Sequence, residues 1–196
     1  SMHIDPGTPD GILDAVVVGS GFSGLCMAIK MREAGLSCLV LEQAASLGGT
    51  WRDNRYPGAA CDVPSNLYCF SFAPKPDWSR SYPRQEEIEA YMNDCADRFG
   101  VRGLMRFNRR VTAARFDEET LLWRVEVGEG MEAYLARSLV LATGGLSRPR
   151  MPDIEGVDSF EGALFHTARW NVGVSLEGRR VAVIGDHRHE AGPLSV

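Results

Sequence analysis

Four consecutive apolar residues, Ala15 to Val18, stand immediately before Gly19, and the same arrangement returns at Val181 to Ile184 before Gly185. Apolar runs without alternation suit strands buried on both faces, as in a parallel sheet. After the first run, Leu25, Ile29 and Met31 precede Gly35, so the pattern predicts a helix that stops at a glycine, followed by a second parallel strand from Ser37 to Leu41. Between Arg84 and Phe99 the apolar positions Ile88, Tyr91, Met92, Cys95 and Phe99 mark one face of an amphipathic helix. Glu86, Glu87 and Glu89 lie in its first turns, where acids are favoured, and Gly100 ends it. Val111 to Phe116, Trp123 to Val127 and Ala133 to Leu135 then predict a small antiparallel meander, parted by Asp117-Glu118-Glu119 and Gly128-Glu129-Gly130. Ser138 to Ala142 returns as a buried strand. The expected class is α/β: a Rossmann-like parallel sheet with flanking helices and a β-meander.

Residues 1–13 carry Gly, Pro and Asp without apolar periodicity and read as a flexible leader, structure beginning near Asp14. A first domain is expected over 14–150, ended by Arg148-Pro149-Arg150-Met151-Pro152. Residues 151–177 read as a linker, and 178–196 as the incomplete start of a second nucleotide-binding domain. The only internal echo is that pair of strand-glycine starts. A chain of 196 residues buries one sizeable core but cannot hold two complete dinucleotide-binding domains.

Hydrophobic content of 44% with 24% charged residues is that of a soluble globular protein, and no apolar run nears the ~20 residues of a membrane span. With a net charge of −5, nucleic acid is not an expected partner. Ser1-Met2-His3 lacks signal-peptide character, so the expected compartment is the cytoplasm. Five cysteines (Cys26, Cys38, Cys61, Cys69, Cys95) include no C-x-x-C pair, which argues against a disulfide framework and a zinc site; Cys26 and Cys38 read as small core residues. His187-x-His189-Glu190 reads as a solvated tail rather than a metal site.

Gly19, Gly21 and Gly24 match G-x-G-x-x-G between a strand and a helix. There glycines allow a tight turn, close backbone approach to a pyrophosphate and close helix packing. The amides at the helix start, those of Phe22, Ser23 and Gly24, then face the phosphates together with the helix dipole. Glu42 ends the second strand, where a carboxylate accepts hydrogen bonds from ribose hydroxyls and repels a 2′-phosphate, favouring FAD or NAD over NADP at this site. Turn glycines and a solvated strand-end acid are the plain alternatives.

A glycine pair follows at Gly48-Gly49-Thr50-Trp51, and with Arg52 to Asp62 after it the segment resembles the FAD domain of class B flavin-dependent monooxygenases, particularly the Baeyer-Villiger type. Ala142-Thr143-Gly144 is similar to that family's second flavin-contacting turn. Phe160-x-Gly162-x-x-x-His166-x-x-x-Trp170 resembles the Baeyer-Villiger fingerprint; relatives that oxidise nitrogen or sulfur usually carry another aromatic in place of Trp170, and Asn171 departs from the usual next residue. A disulfide reductase would need a cysteine pair just after the glycine pair, where Trp51, Asp53 and Asn54 stand.

The resemblance implies FAD bound by Gly19, Gly21, Phe22, Ser23, Gly24, Glu42, Gly49, Thr50, Trp51, Asp62, Tyr68, Thr143 and Gly144, with Trp51 and Tyr68 either along the isoalloxazine or filling core space. It implies catalytic roles for Asp62, placing an arginine of the NADP domain, and for His166, coupling domain movement to catalysis. NADPH, O2 and a small ketone are the implied co-reactants, giving esters or lactones. At the second glycine loop His187 and Glu190 stand where glycine-type residues belong, so the NADP site is expected to be unformed and the chain, read as truncated or frame-altered, to be inactive alone and to self-associate through exposed apolar surface. Two other readings stay open: a nitrogen- or sulfur-oxidising flavin monooxygenase, and a non-catalytic FAD-binding module.

Overall fold

The computed structural model describes residues 10–130, 132–145 and 148–185. Strand β1 is Ile12–Val18, longer at its start than the apolar run alone suggests. Its Leu13, Ala15, Val16 and Val17 are buried because it is flanked on both sides. Helix α1, Phe22–Glu33, begins directly after the glycine loop and buries Gly24, Leu25, Ala28 and Ile29. It ends as expected at Gly35, whose φ of +70° suits glycine. There the Leu36 amide donates to Met31 O at 2.9 Å and the Gly35 amide to Arg32 O at 3.0 Å, a Schellman closure. Strand β2, Cys38–Leu41, is fully buried and parallel to β1, with Ala15 beside Cys38 and Val18 beside Leu41.

After a four-residue helix α2, Thr50–Asp53, comes α3, Gln85–Arg98, which buries Ile88, Tyr91, Met92 and Cys95 of the expected apolar face and also Ala96, while Phe99 falls just past its end and is half-buried. Its end repeats the closure of α1, with the Val101 amide donating to Ala96 O at 2.9 Å and Gly100 at φ +66°. The two-residue strand β3, Met105–Arg106, pairs parallel with β2 and carries no pattern long enough to read from sequence. Strands β4, Val111–Asp117, and β5, Leu122–Val127, form the expected antiparallel pair.

Strand β6, Glu132–Leu141, corrects the sequence reading. The meander strand at Ala133–Leu135 and the later buried strand are one ten-residue strand, antiparallel to β5 and parallel to β1. Arg137 does not break it, because the guanidinium reaches Asp10 and Asp14 at 3.6 and 3.7 Å. Its outer half is not deeply buried either: Leu141 is 70% exposed. The sheet order is β3-β2-β1-β6-β5-β4, four parallel strands continued by an antiparallel meander. Leu13, Val16, Leu39, Leu41, Val125, Val127, Tyr134 and Ala136 pack into one core cluster on it. This is the α/β, Rossmann-like architecture expected.

The chain divides into two compact units, one drawn from Ser1–Gly49 and Ala90–Gly145, which holds the sheet, and one from Thr50–Glu89 and Leu146–Val196. Within the second, Ala60 bridges Arg84 in antiparallel fashion, the Cys61 amide donates to Pro83 O at 2.9 Å and the Ser65 amide to Ser81 O at 2.8 Å. Short 3-10 turns stand at Ser65–Leu67, Val157–Ser159 and Thr167–Arg169. The expected strand at Val181 to Ile184 is not formed: no described strand pairs with it, and without ladder partners Val183 and Ile184 are 62% and 61% exposed. The metal-excluding reading of His187 to Glu190, the second glycine-loop positions and most of the leader lie outside the described residues. Cys38 is buried as expected, while Cys26 is only half-buried. Among the described residues no helix is long and apolar enough to cross a membrane.

Candidate functional site

Gly19, at φ +102°, turns the chain off the end of β1, and a Cβ there would meet Ala142 O at 2.4 Å. A Cβ on Gly24 would meet Gly19 O at 1.9 Å, so the first turn of α1 packs against the loop itself. Both glycines are demanded by packing. Gly21 is different: its Cβ would meet only Gly49 Cα, at 3.8 Å, while one on Gly49 would lie 3.0 Å from Gly21 Cα. Two bare backbone segments therefore pass each other at the start of α1.

The geometry there suits an anion. Gly21 is the N-cap of α1 and makes no side-chain cap hydrogen bond, and no acidic residue stands in the first turn. Four amides at a helix start lack intrahelical acceptors, and the dipole adds positive potential. Phe22, Ser23 and Gly24 are the residues of that turn.

Glu42 follows β2 and is 4% exposed. Its Oε2 accepts from both the amide of Ser20, at 2.9 Å, and the Ser20 hydroxyl, at 2.8 Å, and its Oε1 accepts from the Ala44 amide at 2.8 Å. Ser20 is itself wholly buried, and its carbonyl accepts from the Gly48 amide at 3.1 Å. One serine thus joins the glycine loop, the strand-end acid and the glycine pair. Ser20 was legible only as the filler position of G-x-G, and no sequence signal marks it. Ala142 closes the arrangement by donating to Val18 O at 2.9 Å; Thr143 and Gly144 follow it exposed, Gly144 at φ +68°.

In the first unit, then, Gly19, Gly21, Phe22, Ser23, Gly24, Glu42, Gly49, Thr143 and Gly144 gather at the carboxyl ends of β1, β2 and β6, the edge at which such sheets bind ligands.

The second unit holds Thr50, Trp51, Asp62, Tyr68 and His166. Thr50 O accepts from both the backbone amide and the side-chain Nδ2 of Asn54, each at 2.9 Å. Trp51 is 2% exposed and fills interior space; its indole Nε1 donates to Tyr68 Oη at 2.9 Å, and its carbonyl accepts from the side-chain Nε2 of the buried Gln85. Asn54 and Gln85 are partners that sequence reasoning missed, since nothing separates them from ordinary loop and helix polar residues. Asp62 is exposed on a bend, with no hydrogen bond or ion pair to the other described residues.

The fingerprint segment has its own local logic. A Cβ on Gly162 would lie 2.5 Å from Phe160 Cζ, so the ring covers the glycine; Phe165 and Trp170 meet edge to face at 5.1 Å. His166 caps the 3-10 turn Thr167–Arg169, its Nδ1 accepting the Ala168 amide at 3.0 Å. An accepting Nδ1 carries no proton, so neutral His166 presents an Nε2–H donor. Among the described residues no cluster of three His, Cys, Asp or Glu is placed to hold a metal.

Residues 17–84 match a family model described as NAD(P)-binding Rossmann-like domain, and residues 67–188 match one described as L-lysine 6-monooxygenase/L-ornithine 5-monooxygenase. A Baeyer-Villiger monooxygenase of Streptomyces coelicolor is 51% identical over 170 residues, covering 86% of this chain and 32% of that protein. Among solved structures, the open form of cyclohexanone monooxygenase superposes with a TM-score of 0.84 at 43% identity, over 89% of this chain and 35% of that one. OTEMO in complex with FAD and NADP gives 0.76 at 44% identity, over 82% and 31%. The chain spans about a third of the length of the curated relatives it matches.

Proposed function

The chain belongs to the class B flavoprotein monooxygenases of Baeyer-Villiger type, and on that premise we propose that it supplies the FAD-binding portion of an NADPH- and O2-dependent enzyme that inserts oxygen beside a ketone carbonyl. The observation that carries this reading is the meeting of the uncapped start of α1, the bare backbones of Gly21 and Gly49, and the buried Glu42 carboxylate. These residues fit FAD. The α1 amides would hold the pyrophosphate, Gly21 and Gly49 leave it room, and Glu42 would accept from the adenosine ribose. Bound FAD would supply the redox and oxygen-activating chemistry; the chain's own part is to bind and orient it.

Asp62 and His166 belong to the same proposal as catalytic groups. The exposed Asp62 carboxylate can fix an arginine, and the Nε2–H of His166 can donate while its turn stays capped. So does the division into a FAD-binding domain over 14–150, a linker over 151–177 and the start of an NADP-binding domain over 178–196. Exposed Val172, Val181, Val183 and Ile184 support self-association of this length of chain. The same proposal places the chain in the cytoplasm, one compartment that supplies NADPH.

Loading the chain with FAD, desalting it and recording the visible spectrum tests the reading. A retained, shifted flavin band is expected; complete loss of flavin overturns it. A second reading, oxidation of an amine nitrogen, is favoured by the description of the family model over residues 67–188. Trp170 and the identity to Baeyer-Villiger relatives favour the first. An enzyme of the relatives' full length assayed with a cyclic ketone and a primary amine separates the two, ester formation being the expected outcome.

A further inference from the structure

We infer that Ser20 is the positioning residue of the cofactor site, holding the Glu42 carboxylate in the orientation that grips the adenosine ribose of FAD. The inference rests on the FAD reading above and deepens it. Ser20 has no accessible surface, and each of its three polar groups is engaged: amide and hydroxyl with the same Glu42 oxygen, carbonyl with the Gly48 amide. A serine needed only to fill space between two glycines would not require a partner 22 residues away in sequence for both donors. Two donors on Oε2 and the Ala44 amide on Oε1 fix the carboxylate plane before any ligand arrives. A carboxylate so held loses little freedom on binding, and interactions with a charged acceptor are the stronger hydrogen bonds. The Gly48 contact ties the same residue to the glycine pair that passes Gly21, so ribose and pyrophosphate contacts are set from one point.

Ser20→Ala removes the hydroxyl donor alone. The experiment measures dissociation constants of the full chain for FAD and for an FAD analogue lacking both adenosine ribose hydroxyls, by flavin fluorescence. Wild type is expected to prefer FAD by about tenfold or more, and Ser20→Ala to lose most of that preference by weakening for FAD while holding the analogue unchanged. Ser20→Cys, which keeps the side-chain size with a weaker donor, is expected to fall between them and serves if the alanine variant does not fold. Equal weakening toward both ligands would mark Ser20 as merely structural and overturn the inference, as would unchanged binding of both. Wild type that holds FAD without discriminating the analogue overturns the inference and leaves the FAD reading standing; wild type that holds neither overturns both.

Discussion

The indole of Trp51 and the phenol of Tyr68 are locked to each other: Nε1 donates to Oη at 2.9 Å and the rings meet edge to face at 5.6 Å and 81°. Trp51 has a single side-chain donor and is 2% exposed, so no water replaces a lost partner. Tyr68→Phe is therefore expected to destabilise the chain by about 1–3 kcal/mol, the cost of stranding a buried donor. Trp51→Phe combined with Tyr68→Phe should cost less than the sum of the single changes, because the donor is then gone. Urea denaturation of the four proteins checks this, and strict additivity would show that the bond contributes nothing.

The three glycines of the loop separate packing from binding. Gly24→Ala drives a Cβ into Gly19 O, a backbone atom that cannot swing away, and is expected to cost about 3 kcal/mol or more. Gly21→Ala places its Cβ at ordinary contact distance from Gly49 Cα and at a φ of −72°, so stability should fall only by the cost of alanine at an N-cap, about 0.5–1 kcal/mol. Yet the new methyl would occupy the approach to the α1 amides, and FAD retention should be lost. A Gly21→Ala protein that melts normally and keeps its flavin would show that the pyrophosphate does not lie there.

The core of the sheet was legible because β1 and β2 are buried on both faces and so read as unbroken apolar runs. Both long helices were legible at their ends through Gly35 and Gly100, whose positive φ values close Schellman turns. The reading failed where tertiary partners decide. Arg137 interrupts the apolar pattern of β6, but carboxylates brought alongside by β1 let the strand run through. Val181 to Ile184 has the composition of a strand, but composition cannot supply a ladder partner. In the site, glycines and Glu42 announced themselves by spacing, whereas Ser20 and Gln85 matter only through burial, which one sequence does not reveal.

Asp14 staples β1 to the residue before β2. Its Oδ2 accepts from the Ser37 amide and hydroxyl, both at 2.8 Å, while Ser37 Oγ accepts the Asp14 amide at 2.9 Å. The backbone bond from Ser37, then the hydroxyl and Arg137, hold the carboxyl below its ordinary value of 3.8. A depressed folded value means the stabilisation is complete above the unfolded value, near pH 4, and is lost as pH falls further through the folded value. Asp14→Asn should therefore cost about 1 kcal/mol at pH 7, discounted for partial exposure, and flatten the decline of stability below pH 4. Denaturation series at pH 7, 4 and 3 check both parts; an unchanged acid slope would remove Asp14 from the account.

His166 offers two nitrogens with different duties. Nδ1 caps the turn at Thr167–Arg169, a task that an asparagine oxygen also performs, whereas Nε2–H has no counterpart in asparagine. His166→Ala is expected to cost about 0.5 kcal/mol of stability through loss of the cap, and His166→Asn almost none. In an enzyme of full length both should lose activity alike if the Nε2 donor carries the function, with His166→Asn retaining normal stability. The comparison of melting curves with NADPH-dependent turnover decides between the duties. Wild-type turnover by His166→Asn would assign the histidine to capping alone, since the turn would then be all the reaction requires of it.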